Sequence, residues 1–197
     1  MIDINAIKTH VISMLENELP STLTYHDVNH TLDVEEQILR IATEEGITNL
    51  QDLEDLQIAA LYHDTGFIQK HTLHEFVSCD LARKYLPEFG LSNERIENIC
   101  NIIMVTKFPH DPKNLLEMIM CDADLDYLGR DGFNETSNKL RKELIAYHII
   151  TPETDWNQFQ INFFKKHKFF TKSCKEKREA GKMARYEELV KNHNNNQ

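Results

Sequence analysis

The sequence predicts an all-α fold of about nine helices, and three observations carry that expectation. Apolar residues recur with the helical period along almost the whole chain. No run of alternating apolar and polar residues is long enough for a strand. Gly and Pro are scarce, 6 and 5 in 197 residues, so the chain has few turn-forming positions for the many short connections of an all-β fold.

The elements follow in order. Ile4, Ile7, Val11, Met14 and Leu15 form a one-sided stripe over 2–19, which Pro20 ends. Over 30–45, His30, Val34, Ile38 and Ile41 share a face before Gly46, and over 52–64 Leu53, Leu56, Ala60, His63 and Asp64 align. Polar groups therefore sit where two helices should present core residues. Residues 74–86 bring His74, Val77, Ser78, Leu81 and Tyr85 together, and Ser92 is the expected N-cap of a helix over 93–106 with Ile96, Ile99, Cys100 and Ile103 inward. Further helices are expected over 113–129, 133–147, 153–166 after the Thr151-Pro152 start signal, and 172–192. The Asn-rich end, 192–197, is expected to be disordered. No linker or repeat divides the chain, so 1–197 reads as one domain whose segment 165–197 is a basic helix and tail.

Composition narrows the function classes. Hydrophobic residues at 41% and charged residues at 27% suit a globular chain rather than a disordered or collagenous one. The net charge of −10 argues against a generic nucleic-acid or anionic-membrane surface, because phosphate binding rests on Lys and Arg. That charge is uneven. From Lys165 onward ten Lys and Arg stand against four Glu, leaving a strongly acidic remainder, as expected for a basic terminal helix packed on an acidic body or a basic rim that steers an anionic substrate. Nothing approaches 18 consecutive apolar residues, so no membrane span is expected. The start has no secretory-signal pattern, and Cys79, Cys100, Cys121 and Cys174 lack a C-x-x-C spacing. A cytoplasmic location with free thiols, and no Cys-rich zinc site, is the expectation.

Ten His exceed what packing requires, which points to metal or acid–base chemistry. Three segments place His and carboxylates where a helical protein would put Leu: Tyr25-His26-Asp27-Val28-Asn29-His30, Leu61-Tyr62-His63-Asp64-Thr65-Gly66, and Met120-Cys121-Asp122-Ala123-Asp124. His26 and His30, at i and i+4, stack on one face if the backbone there is helical. A lone buried His is more often a hydrogen-bonded core residue than a ligand. Several of them with buried carboxylates are different, because unpaired buried charges cost several kcal/mol and one cation compensates them all. Two imidazoles and two carboxylates also leave open positions on a divalent ion such as Mn, Fe, Co, Ni or Mg. Asp122 and Asp124 flank the stripe Leu116, Ile119, Ala123, Tyr127 about equally, so periodicity does not choose between them.

The ordered set His30, His63-Asp64 and Asp124 resembles the HD-domain superfamily of metal-dependent phosphohydrolases. The resemblance covers roughly residues 22–130, in the segments HDVNHTLDV, ALYHDTGF and CDADLDYLGR, which look most like small bacterial HD proteins. It implies an all-helical fold and one or two divalent metal ions held by His30, His63, Asp64 and Asp124, with Asp122 as alternative or supporting group. It further implies hydrolysis of a small phosphoester, a nucleotide above all, by a metal-activated water. Asp64 would accept the proton of that water and His26 would protonate the leaving oxygen, while His74 or Lys107 would offset phosphate charge. Arg83, Lys84, Arg130 and Arg141 are further cations, and His10, His148, His167 and His193 look like background. Two alternatives stand beside this reading: a nucleotide-sensing regulatory module, and a di-iron oxygenase recruiting His71, His74 and His110. A homodimer is left open.

Overall fold

The structure is a computed structural model that describes residues 2–195. Among the described residues it contains nine α-helices, three short 3-10 turns and no strand. The helices are α1 (Ile4–Glu18), α2 (Val28–Glu44), α3 (Leu50–Tyr62), α4 (His74–Tyr85), α5 (Asn93–Met104), α6 (Leu115–Asp124), α7 (Phe133–Ala146), α8 (Trp156–Lys166) and α9 (Lys172–Asn195).

Local chemistry sets the ends. α1 stops because Leu19, ahead of Pro20, is pushed out of the helical region and is extended. α2 closes through Gly46, whose φ of +77° lets Ile47 N–H reach back to Ala42 C=O. Ser92 caps α5 by accepting from Arg95 N–H.

Three expected boundaries move. The helix expected over 113–129 ends at Asp124 and gives way to a 3-10 turn at Asp126–Gly129, because the fully buried Asp126 carboxylate accepts hydrogen bonds from Arg40 (2.6 Å) and Arg178 (2.8 Å) and lies 3.1 Å from Arg130 Nε. The helix expected from 153 starts at Trp156, since Asp155 supplies the capping carboxylate that Pro152 cannot. Asn192–Asn195, expected to be disordered, continue α9. Extending an existing helix needs no new nucleus, and His193 lies 3.0 Å from Asp155. Residues 196–197 lie outside the described residues.

α3 is the central helix. Leu56, Ile58, Ala59, Ala60, Leu61 and Tyr62 are all buried, so it is apolar on every side near its C-terminal end. It packs on α1, α2 and α5, and α2 packs in turn on α6. Each fully buried Leu or Ile contributes about 1.5–3 kcal/mol, so the chain leaving α3 at His63 is held by the best-packed part of the molecule. The basic α9 lies on α8 and on the 126–129 turn, with Lys177 on Glu44, Arg178 on Asp126 and Arg185 on Asp131. Gly129 and Gly181 face each other there, and a Cβ on Gly181 would fall 2.3 Å from Gly129 O.

Candidate metal centre

His63 caps the C-terminus of α3 and is completely buried. Its Nδ1 is 2.7 Å from Ala60 C=O. A carbonyl only accepts, so the proton is on Nδ1 and the Nε2 lone pair is free to act as a ligand. The following turn is fixed by Ser78 of α4, whose hydroxyl donates to His63 C=O (2.6 Å) and accepts from Gly66 N–H (2.8 Å). Gly66 is required by space: a Cβ there would lie 1.9 Å from His74 C=O.

His30 comes from the first turn of α2, where Asp27 caps the helix by accepting from His30 N–H. Its Nε2 faces His63 Nε2 at 3.4 Å. Two carboxylates converge on this pair. Asp64 Oδ2 is 3.1 Å from His63 and 3.3 Å from His30, and Asp124 Oδ1, at the end of α6, is 3.2 Å from His30 and 3.6 Å from His63. Donor atoms of His30, His63 and Asp124 all lie within 4.8 Å of one another, a candidate metal site. Burial works against charging His30, but the Asp124 and Asp64 carboxylates outweigh it and push its pKa up to about 9. They drive His63 up in the same way, again against burial.

The residues fit a metal ion. Asp64 Oδ2 is buried and, although near two imidazoles, makes no hydrogen bond with either. Two imidazole nitrogens pointing at each other beside two carboxylates need either protons or a cation between them. A cation satisfies all four groups at once.

The other expected residues divide. Asp122 lies on the far side of α6 and accepts from Phe170 N–H, Thr171 N–H and Thr171 Oγ1, so it anchors the segment ahead of α9 rather than joining the cluster. His26 is not on the helix, which begins at Val28. Its ring meets His30 edge-on at 5.7 Å instead of stacking above it. His74, the first residue of α4, places Nε2 3.3 Å from Asp64 Oδ1. Burial disfavours charge on His74, yet the neighbouring Asp64 carboxylate raises its pKa. Phe67 stacks against the rings of both His26 (4.2 Å) and His74 (3.8 Å). Lys107 is exposed after α5 with its ammonium 5.3 Å from the Phe76 ring centre, and Arg130 is paired with Asp33 and Asp126. His110 is hydrogen-bonded to Thr106 C=O, and burial lowers its pKa. His71 packs on Tyr147.

Glu143 of α7 escaped the sequence reading. It is fully buried, bonds His26 Nδ1 at short range, accepts from Tyr25 N–H (2.9 Å) and His26 N–H (3.1 Å), and lies 3.5 Å from His71 Nε2. Burial would raise its pKa, but His26 and His71 hold it well below the usual carboxylate range. In the sequence it is one of several Glu on a polar helix, and no helical stripe marks it as inward.

The molecule is an all-helical bundle whose His30, His63 and Asp124 form a candidate metal site, with Asp64 beside them. The HD domain family model matches residues 27–126, about half of the chain, and the chain belongs to that family. A crystal structure of a predicted HD superfamily hydrolase from an uncultured Thermotogales bacterium has the same fold, with a TM-score of 0.54 and 22% identity, over 80% of this chain and 88% of that one. No curated protein matches the chain. Among the described residues no helix is long and apolar enough to cross a membrane.

Proposed function

We propose that this protein is a metal-dependent phosphohydrolase acting on a small phosphoester. The observation that carries the reading is the convergence of His30 and His63 Nε2, 3.4 Å apart, on Asp64 and Asp124, with Asp64 Oδ2 unpartnered. His30, His63, Asp64 and Asp124 hold the ion. A bound divalent cation there polarises a phosphoryl oxygen and lowers the pKa of water.

The chain's own groups supply the rest. Asp64, adjacent to the attacking water, accepts its proton. His26 has Nδ1 on Glu143, which leaves Nε2 to hold a proton for the departing ester oxygen. His74, beside Asp64 Oδ1 with a raised pKa, offsets charge on a non-reacting oxygen, whereas Lys107 lies over Phe76. The substrate is a nucleotide or another small phosphoester, free of nucleic-acid polymer.

Metal analysis of the purified protein, with a phosphoester panel assayed in Mn, Mg, Co and Ni, tests this. One or two metal equivalents per chain and metal-dependent release of phosphate or alcohol are expected. Protein that stays metal-free and inert after supplementation with each ion overturns the reading.

A further inference from the structure

Beside the cluster lies an apolar cavity of about 150 Å³ whose lining includes Asp124 and His26. Its walls are Tyr127, Phe133, Leu140, Trp156, Phe159 and Phe163. All six follow residue 126, so they stand outside the stretch that matches the family model.

Three properties define what fits. Among the described residues, Asp124 and His26 are the only lining groups of type Asp, Glu, His, Lys or Arg, so no described cation besides His26 neutralises a second phosphate or a carboxylate there, and a buried unpaired anion costs several kcal/mol. Three of the polar groups are bonded to one another: Trp156 Nε1–H donates to Ser137 Oγ (3.1 Å), and Ser137 donates to Gln160 Oε1. The volume is that of cavities which, lined by Leu, Ile and Phe, hold one benzene ring. Its inner space matches one ring, and a larger group would extend from it into solvent.

Resting on the phosphohydrolase reading, we propose that this cavity receives the ester group of the substrate, and that this group is an uncharged apolar unit about the size of one aromatic ring. The substrate class is then an aryl, arylalkyl or compact branched-alkyl phosphate rather than a nucleotide. Water adds its oxygen to phosphorus, the phosphorus–ester-oxygen bond breaks, and the ester oxygen takes a proton from His26 in the cavity's lining to leave as the alcohol. Trp156, stacked on Phe159 with ring centres 5.2 Å apart, borders the path of that group.

Trp156 is the chain's single tryptophan, so its emission reports occupancy without any turnover. The experiment titrates benzylphosphonate, methylphosphonate and AMP into Mn-loaded protein, with inorganic phosphate as competitor. Burial of the ring should make benzylphosphonate bind at least ~10-fold tighter than methylphosphonate and change Trp156 emission. Phe159→Ala, at a residue 38% exposed, and Phe163→Ala should remove most of that advantage while leaving methylphosphonate affinity unchanged, with thermal denaturation checking that both variants fold. Equal affinity for the two phosphonates, or tighter binding of AMP than of benzylphosphonate, overturns the cavity assignment alone. Methylphosphonate that neither binds nor is displaced by phosphate overturns the phosphohydrolase reading, and this proposal with it.

Discussion

Glu143 grips His26 through both its ring and its backbone. One carboxylate oxygen bonds Nδ1, and the other accepts the N–H groups of His26 and Tyr25. The arrangement presets the imidazole with Nε2 turned away from Glu143, and Phe67 packs flat against the ring. If His26 is the general acid, His26→Ala should keep the metal and lower turnover by about 100–10,000-fold, less for a nitrophenyl ester whose leaving group departs without a proton. Loss of metal in that variant would make His26 a ligand instead.

Glu143 is then a positioning residue. Glu143→Gln should retain metal and lower turnover by about 10–100-fold, the range typical of groups that orient a functional imidazole. Nitrogen and proton NMR should show the His26 Nδ1–H resonance moving upfield as its carboxylate partner becomes a neutral amide. An unchanged Nδ1–H resonance together with a large activity loss would refute the orienting role.

The two aspartates of α6 separate metal from architecture. Asp124→Ala should lose most bound metal. Asp122→Ala should keep it and instead strand the N–H groups of Phe170 and Thr171, at about 1–3 kcal/mol for each unsatisfied donor. Metal analysis and thermal denaturation of both variants check this, and the reverse pattern would place the site on the other side of the helix.

Gly66 tests how far the cluster depends on α4. A Cβ there meets the His74 carbonyl at 1.9 Å, backbone that cannot yield without moving the start of the helix. Gly66→Ala should cost about 1–3 kcal/mol of stability and weaken metal binding, because His74 and the Ser78 bridge to His63 move together. Unchanged stability and metal affinity would show that α4 is not what fixes the Asp64 turn.

The helical period and the chain's few turn residues were enough to place the nine helices seen among the described residues, since most bury one apolar stripe and several ends carry Pro, Gly or a capping side chain. His30, His63 and Asp64 were legible for the same reason: a charged group on an apolar stripe is conspicuous. Asp122 and Asp124 were not separable by period, because they flank the stripe symmetrically and what distinguishes them is the backbone of residues 170–171, distant in sequence. Glu143 and the aromatic cavity were invisible for a related reason. Each depends on α7 and α8 folding back over the start of α2, a tertiary event with no local signature.

His167 yields a prediction about acid stability. It is buried between Phe163 and Phe169, and neither ring nitrogen has a hydrogen-bond partner. Burial first, and then the Lys182 ammonium, whose Nζ donates to the His167 carbonyl, lower its pKa to about 3. The unfolded chain therefore takes up a proton near pH 6.5 that the folded chain refuses until about pH 3. The neutral imidazole's contribution is complete above 6.5 and is lost as pH falls through that window, at up to ~1.4 kcal/mol per pH unit. His167→Leu removes both the titration and the two unsatisfied nitrogens, so it should be neutral or stabilising at pH 7.5. Its advantage over wild type should grow steadily between pH 6.5 and pH 4. Thermal or urea denaturation of both proteins across that range measures the difference directly. A gap that stays constant with pH would mean that His167 is protonated in the folded chain, with its charge met by a group that the buried ring does not now touch.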